Sequence, residues 1–178
     1  MLGPFKSEEE MAKAACERMT AQPGASNGAY GFEYCALHYY STEEDAFFLS
    51  YLSDVGGSGV GGTKYCELPR ALLDVARKDV VILGGVHTHP NNRAFSDKDL
   101  SERAHWPPIR FADPVTKRVW DRQLLMFFRE KTQECRAYTY NNATRWITAL
   151  RDGTWVPIGK VHNEVGDIEF LDGLGWLP

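Results

Sequence analysis

The sequence predicts a layered α/β domain built on one central mixed β-sheet. Three observations carry this. Met11, Ala14, Ala15 and Met19 form an apolar stripe of helical period near the N-terminus. The run Val80-Val81-Ile82-Leu83-Gly84-Gly85-Val86 is apolar almost without interruption, the composition of a strand buried on both faces. From residue 122 onward, four short segments of strand character alternate with turns. A helix, a hairpin, a buried strand and a meander in this order sort into layers around a single sheet.

The first helix is expected over 7–20, with Ser7 and Glu10 as a capping box and Gln22-Pro23-Gly24 as the stop. The aromatic-rich segment 29–40, the turn 41–45 and the segment 46–53 predict a hairpin. A glycine-rich loop occupies 55–63, and Pro69 starts a predicted helix over 69–78. The buried strand at 80–86 leads to a short helix over 96–104, ended by Trp106-Pro107-Pro108. An irregular connection, 106–121, precedes strands at 122–129, 134–140, 145–150 and 155–160, with turns at Asn141-Asn142 and Asp152-Gly153.

A chain of 178 residues is long enough for one well-filled core, here assigned to 1–160, with 161–178 a tail of unassigned structure. With 43% hydrophobic and 25% charged residues the balance is that of a globular protein. The net charge of -4 disfavours a general nucleic-acid binder, which needs a basic surface. The longest apolar run is far short of the roughly 20 residues a spanning helix needs. No basic segment followed by an apolar one marks a secretory leader, so the expected location is the cytoplasm of the producing cell; a specialised export machine would leave no such trace. Cys16, Cys35, Cys66 and Cys135 form no CxxC pair and read as small buried hydrophobes in a reducing compartment, two disulfides being the minor alternative.

Two glycine motifs are set aside. Gly57-Ser58-Gly59-Val60-Gly61-Gly62 matches GxGxxG, but the next helix starts too late for its N–H groups to meet a pyrophosphate, and the next strand ends in His87 rather than an acidic residue. Thr63-Lys64 reverses the order a P-loop requires. A loop beside a cleft is the better reading.

The chemistry concentrates at His87-Thr88-His89-Pro90, where the buried strand ends. Side chains two apart on a strand share a face, so both imidazoles project together and suit adjacent positions on one Zn²⁺. Ser96-Asp97-Lys98-Asp99 follows and opens a helix. Alone, Ser-x-x-Asp is a helix cap; beside the histidine pair, an Asp of this segment becomes a third, carboxylate ligand. Two His and one carboxylate leave a coordination position open, as catalytic zinc sites do. His38 reads as a packing residue, and His105 and His162 have no partner pattern.

The pattern His-x-His, gap, Ser-x-x-Asp resembles the JAMM (MPN-plus) zinc metalloisopeptidase motif, most like the bacterial JAMM-like domains associated with polymorphic toxins and effectors. The resemblance covers roughly residues 7–105, and the gap between His89 and Ser96 holds six residues where the family has seven. It implies a cytidine-deaminase-like sandwich, a central mixed sheet flanked by helices. It selects Asp99 over Asp97 as the third ligand of a zinc held by His87 and His89. It places the family's glutamate at Glu33, in Glu33-Tyr34-Cys35-Ala36-Leu37, in preference to Glu43, Glu44 or Asp45 in the turn. The implied activity is hydrolysis of an amide or isopeptide bond in a protein or peptide. Glu33 would be general base and acid, and Ser96 would donate to the oxyanion. A catalytically silent metal-binding or protein-interaction domain of the same fold, and a metal-dependent nuclease, are the alternatives.

Overall fold

The computed structural model describes residues 1–53, 55–58, 62, 64–69, 71–72, 74–101 and 107–178. In chain order these form β1 (Leu2–Phe5), α1 (Glu8–Thr20), a 3-10 turn (Gly28–Tyr30), β2 (Cys35–Ser41), β3 (Ala46–Leu49), β4 (Gly56–Ser58), β5 (Lys64–Cys66) and β6 (Val80–Thr88). Then come α2 (Asp97–Leu100), β7 (Arg110–Ala112), β8 (Val119–Asp121), β9 (Leu124–Arg129), β10 (Cys135–Tyr140), β11 (Trp146–Arg151), β12 (Thr154–Val161) and β13 (Ile168–Phe170).

One nine-stranded sheet in the order β1-β3-β2-β6-β9-β10-β11-β12-β13 organises the chain. Its neighbours are antiparallel except β6 and β9, which run parallel with His87 opposite Met126. The apolar run is thus an inner strand between β2 and β9, as its composition requires. Gly84 adopts a φ of +153°, at the irregularity where β2 passes from His38 to Tyr39. A Cβ at Gly84 would collide with the Gln123 carbonyl, so only glycine lets β6 pass here.

Alternation along the strands builds two cores. Leu125 and Phe127 face α1, where Met11, Ala15 and Met19 are fully buried. Met126 faces the other way, into a cluster with Tyr138, Ile147, Ile158, Phe95 and Leu100. Each large apolar side chain so buried contributes about 1.5–3 kcal/mol. Ser7 caps α1 as expected, accepting from the Glu10 N–H at 3.2 Å, but the Glu10 carboxylate turns to the Lys6 N–H rather than back to Ser7. The meander follows the predicted segments closely. Its tight turn at Asp152-Gly153 has positive φ at both residues (49° and 76°), the geometry a two-residue hairpin favours.

Several expectations need correction. A mixed α/β fold with a large mixed sheet is present, but among the described residues its helices are the 13-residue α1, the four-residue α2 and one 3-10 turn. The second face of the sheet is covered instead by Phe95, α2 and the C-terminal segment, where Trp176 packs on Tyr138. The described part of 69–78 forms turns, not a helix: the Asp74 carboxylate accepts from the Ala76 N–H and binds Arg77 and the Tyr39 hydroxyl, a local alternative to helical bonding. The connection 106–121 contains the β7–β8 hairpin, and the tail adds β13 to the sheet. Of the predicted helix over 96–104, residues 102–104 lie outside the described residues, as do His105 and Trp106.

The cysteines are paired. Cys16 of α1 joins Cys135 of β10 with Cα atoms 6.0 Å apart, and Cys35 of β2 joins Cys66 of β5 at 5.7 Å. Both separations suit a disulfide. Spacing along the chain could not reveal this, because each pair is created by packing across the fold. No helix of the described residues is long and apolar enough to cross a membrane.

Candidate metal centre

β6 carries His87 to the centre of the sheet, and His89 follows two residues on, just past the strand end. Both residues are 6% exposed. Their Nε2 atoms lie 3.0 Å apart. Asp99 approaches from α2, with Oδ1 3.4 Å from His87 Nε2 and Oδ2 3.4 Å from His89 Nε2. One ligand atom from each of the three lies within 4.8 Å of the others. With metal–nitrogen bonds of about 2.0–2.1 Å, the edge of a tetrahedron is about 3.3 Å, so the spacing matches a single small cation.

Local bonding orients His89 and Asp99. His89 Nδ1 faces Asn92 Oδ1 at 3.4 Å, leaving Nε2 as the lone-pair nitrogen. Ser96 caps α2: its Oγ accepts from the Asp99 N–H at 3.2 Å, while its own N–H donates to Asp99 Oδ2 at 2.8 Å. The hydroxyl also donates to Asp99 Oδ2, at 2.6 Å. The expected cap and the expected ligand site are therefore one structure, the capping box pinning the carboxylate that faces the histidines.

The electrostatics favour a cation. Burial alone would raise the Asp99 carboxyl, but His87 and His89 outweigh it and hold it far below the usual carboxylate range. Burial alone would lower the His87 imidazole, but Asp99 and Glu33 raise it. Two nitrogen lone pairs and a carboxylate meeting in a buried space call for a positive charge, either a proton or a metal ion. The donor set of two imidazoles and one oxygen suits zinc.

Glu33 lies just before β2, not on it. The Tyr34 N–H donates to Thr88 Oγ1 at 2.9 Å and the Thr88 N–H to the Tyr34 carbonyl at 3.0 Å. The Gly28 N–H reaches the Pro90 carbonyl at 3.0 Å, and a side chain at Gly31 would strike Pro90. These contacts seat the 28–34 segment against His87-Thr88-His89-Pro90. Glu33 lines the same cleft as His87, His89, Ser96 and Asp99, a space of about 330 Å³. Burial raises the Glu33 carboxyl, partly offset by the two imidazoles. All five residues singled out in the sequence are thus brought to one cleft. His38 is fully buried and donates from Nε2 to the Gln123 carbonyl at 2.9 Å, a packing residue as expected.

Sequence reasoning missed the opposite wall. β4 and β5 form a separate two-stranded hairpin, and Gly62, Lys64, Tyr65, Cys66 and Leu68 line the cleft. Gly57 and Ser58 of the glycine-rich motif belong to β4; Gly59, Val60, Gly61 and Thr63 lie outside the described residues. The Cys35–Cys66 disulfide ties the hairpin to β2 two residues from Glu33, and Leu68 packs against Gly85 of β6. Thr88 and Asn92 were also unmarked, although Thr88 sits in the middle of the histidine motif.

Compared with protein-family models, curated proteins and solved structures, the chain matches none of them.

Proposed function

We propose that the chain is a zinc-dependent hydrolase of amide or isopeptide bonds with a JAMM-type site and fold. The observation that carries this is the meeting of His87, His89 and Asp99 ligand atoms within 4.8 Å in a cleft that also holds Glu33. His87, His89 and Asp99 hold the metal. A zinc ion held by them would supply Lewis-acid chemistry, bringing the pKa of water towards about 7. Glu33, its carboxylate basicity raised by burial, takes the proton from the attacking water and delivers it to the departing amine nitrogen as the C–N bond breaks. The Ser96 hydroxyl, whose one O–H is held by Asp99 Oδ2, turns that proton to the oxygen that gains charge on the former carbonyl when substrate is bound. The paired cysteines favour folding in oxidising surroundings over the reducing cytoplasm.

The test is metal content followed by cleavage. Purified without chelator, the protein should hold about one zinc per chain. His87→Ala and Asp99→Ala should each lose most of it, since two remaining ligands hold the ion poorly. Zinc-loaded protein should cleave members of a panel of peptide and isopeptide substrates. Full zinc occupancy in both variants, or a zinc-loaded protein that cleaves nucleic acid and no amide, would refute the assignment.

A further inference from the structure

The cleft carries two ammonium groups, those of Lys64 and Lys98. Arg77, Arg93, Arg110, Arg118, Arg129 and Arg136 are each paired with a carboxylate elsewhere on the molecule. The described lysines have no such ion pair, and two of them, Lys64 and Lys98, line the cleft. The Lys64 ammonium donates to the neutral Ser58 hydroxyl at 2.7 Å, and Lys98 is exposed on the first turn of α2 with no carboxylate of a described residue in ion-pairing range. They belong to different elements, Lys64 to β5 and Lys98 to α2 next to Asp99. Of the cleft's two carboxylates, Asp99 faces the histidines and Ser96, and Glu33 is half-buried with no ion pair to either lysine. A protein of net charge -4 thus keeps two ammonium groups without a paired carboxylate where a substrate would lie. Asn91 and Asn92, which also line the cleft, add neutral hydrogen-bonding groups.

We infer that the cleft selects molecules carrying a carboxylate within a residue or two of the amide to be cleaved, and that Lys64 and Lys98 are the residues that recognise it. This rests on the proposed hydrolase site for its meaning, but the recognition itself is a property of the two lysines. The carboxylate has two sources, an Asp or Glu side chain or the free end of a peptide. A space of about 330 Å³ accommodates two or three residues of such a chain.

Binding tests this without turnover. The probes are Ac-Gly-Glu-Gly-NH₂, Ac-Gly-Gln-Gly-NH₂ and Ac-Gly-Gln-Gly-OH, titrated by calorimetry into zinc-loaded and chelator-treated protein. At least one carboxylate probe should bind about tenfold or more tighter than the neutral one, in both forms of the protein. The first and third probes tell a side-chain carboxylate from a chain end. Lys64→Gln and Lys98→Gln should each remove most of the preference while zinc content stays at the wild-type level. Equal binding of all three probes, no measurable binding of any, or a preference that survives both substitutions would overturn the inference. A preference present only with zinc would assign the carboxylate to the metal and equally overturn it. Zinc content and cleavage are read separately, so loss of the hydrolase assignment with the preference intact is distinguishable from the reverse.

Discussion

Glu8→Gln should stabilise the protein above neutral pH and leave it unchanged in acid. Glu8 opens α1, and its Oε1 lies 3.6 Å from Nδ1 of the buried His38, neither atom having a hydrogen-bond partner. His38 uses its Nε2–H on the Gln123 carbonyl, so Nδ1 presents a lone pair towards Glu8. Burial, reinforced by Glu9, pushes the Glu8 carboxyl up to about 7 from 4.5. Burial pulls the His38 imidazole down to about 4 from 6.5, against the pull of the Gln123 bond. Between pH 4.5 and about 7 the folded protein keeps a Glu8 proton that the unfolded chain has released. Stability from this group is therefore lost as pH rises across that window, by about 3 kcal/mol in full. His38 acts in the opposite sense: from about pH 4 to 6.5 the unfolded chain holds a proton the folded one refuses, so stability rises with pH. The glutamine side chain of the variant cannot ionise, and its amide N–H can still face Nδ1. Urea unfolding of chelator-treated wild type and Glu8→Gln from pH 4 to 8 isolates the Glu8 contribution, since the other groups cancel in the difference. The variant should be more stable by about 1–3 kcal/mol at pH 8, converging with wild type near pH 4.5. A difference that is absent at pH 8, or constant across the range, would show that folded Glu8 does not hold its proton as described.

Glu33→Gln should keep its zinc and its fold while kcat falls at least about 100-fold on whichever amide substrate the panel identifies, because the amide cannot take the water's proton; wild-type turnover would move the base elsewhere. Ser96→Ala should lose rate and also about 1 kcal/mol of stability in chemical denaturation, since Ser96 both faces the reaction and caps α2; loss of stability with the rate unchanged would leave it only a cap. Replacing Cys35 and Cys66 together by Ser should cost up to about 4 kcal/mol, the chain-entropy value for a closure spanning 31 residues, with zinc content retained. An unaltered urea midpoint would mean that β4 and β5 are held by packing alone.

Legibility in the sequence followed the range of the interactions. α1, the inner strand β6 and the meander were readable because Met11 and its neighbours repeat with the helical period, Val80 opens an unbroken apolar run, and turn residues separate the later strands. The candidate ligands were readable because His87 and His89 are two residues apart and Asp99 belongs to the helix start that Ser96 announces. Glu33 was reached only through a family resemblance, since what places it is the bonding of Tyr34 to Thr88, 54 residues away. The segment 69–78 misled because Pro69 is a good helix opener, whereas Asp74 commits its carboxylate to Ala76, Arg77 and Tyr39. The disulfides were invisible for the same reason as Glu33: Cys16 and Cys135 are 119 positions apart and meet only where α1 lies on β10.

That longer bridge encloses the shorter one, as Cys35 and Cys66 both fall between Cys16 and Cys135. A protease that severs the backbone between residues 36 and 65 therefore leaves two pieces joined at two points, and a cut between 67 and 134 leaves them joined at one. Glu33 would then belong to one piece and, for any break before β6, His87, His89 and Asp99 to the other. The nicked molecule would still travel as one species until its thiols were reduced, so scission of the backbone alone would not disperse the cleft.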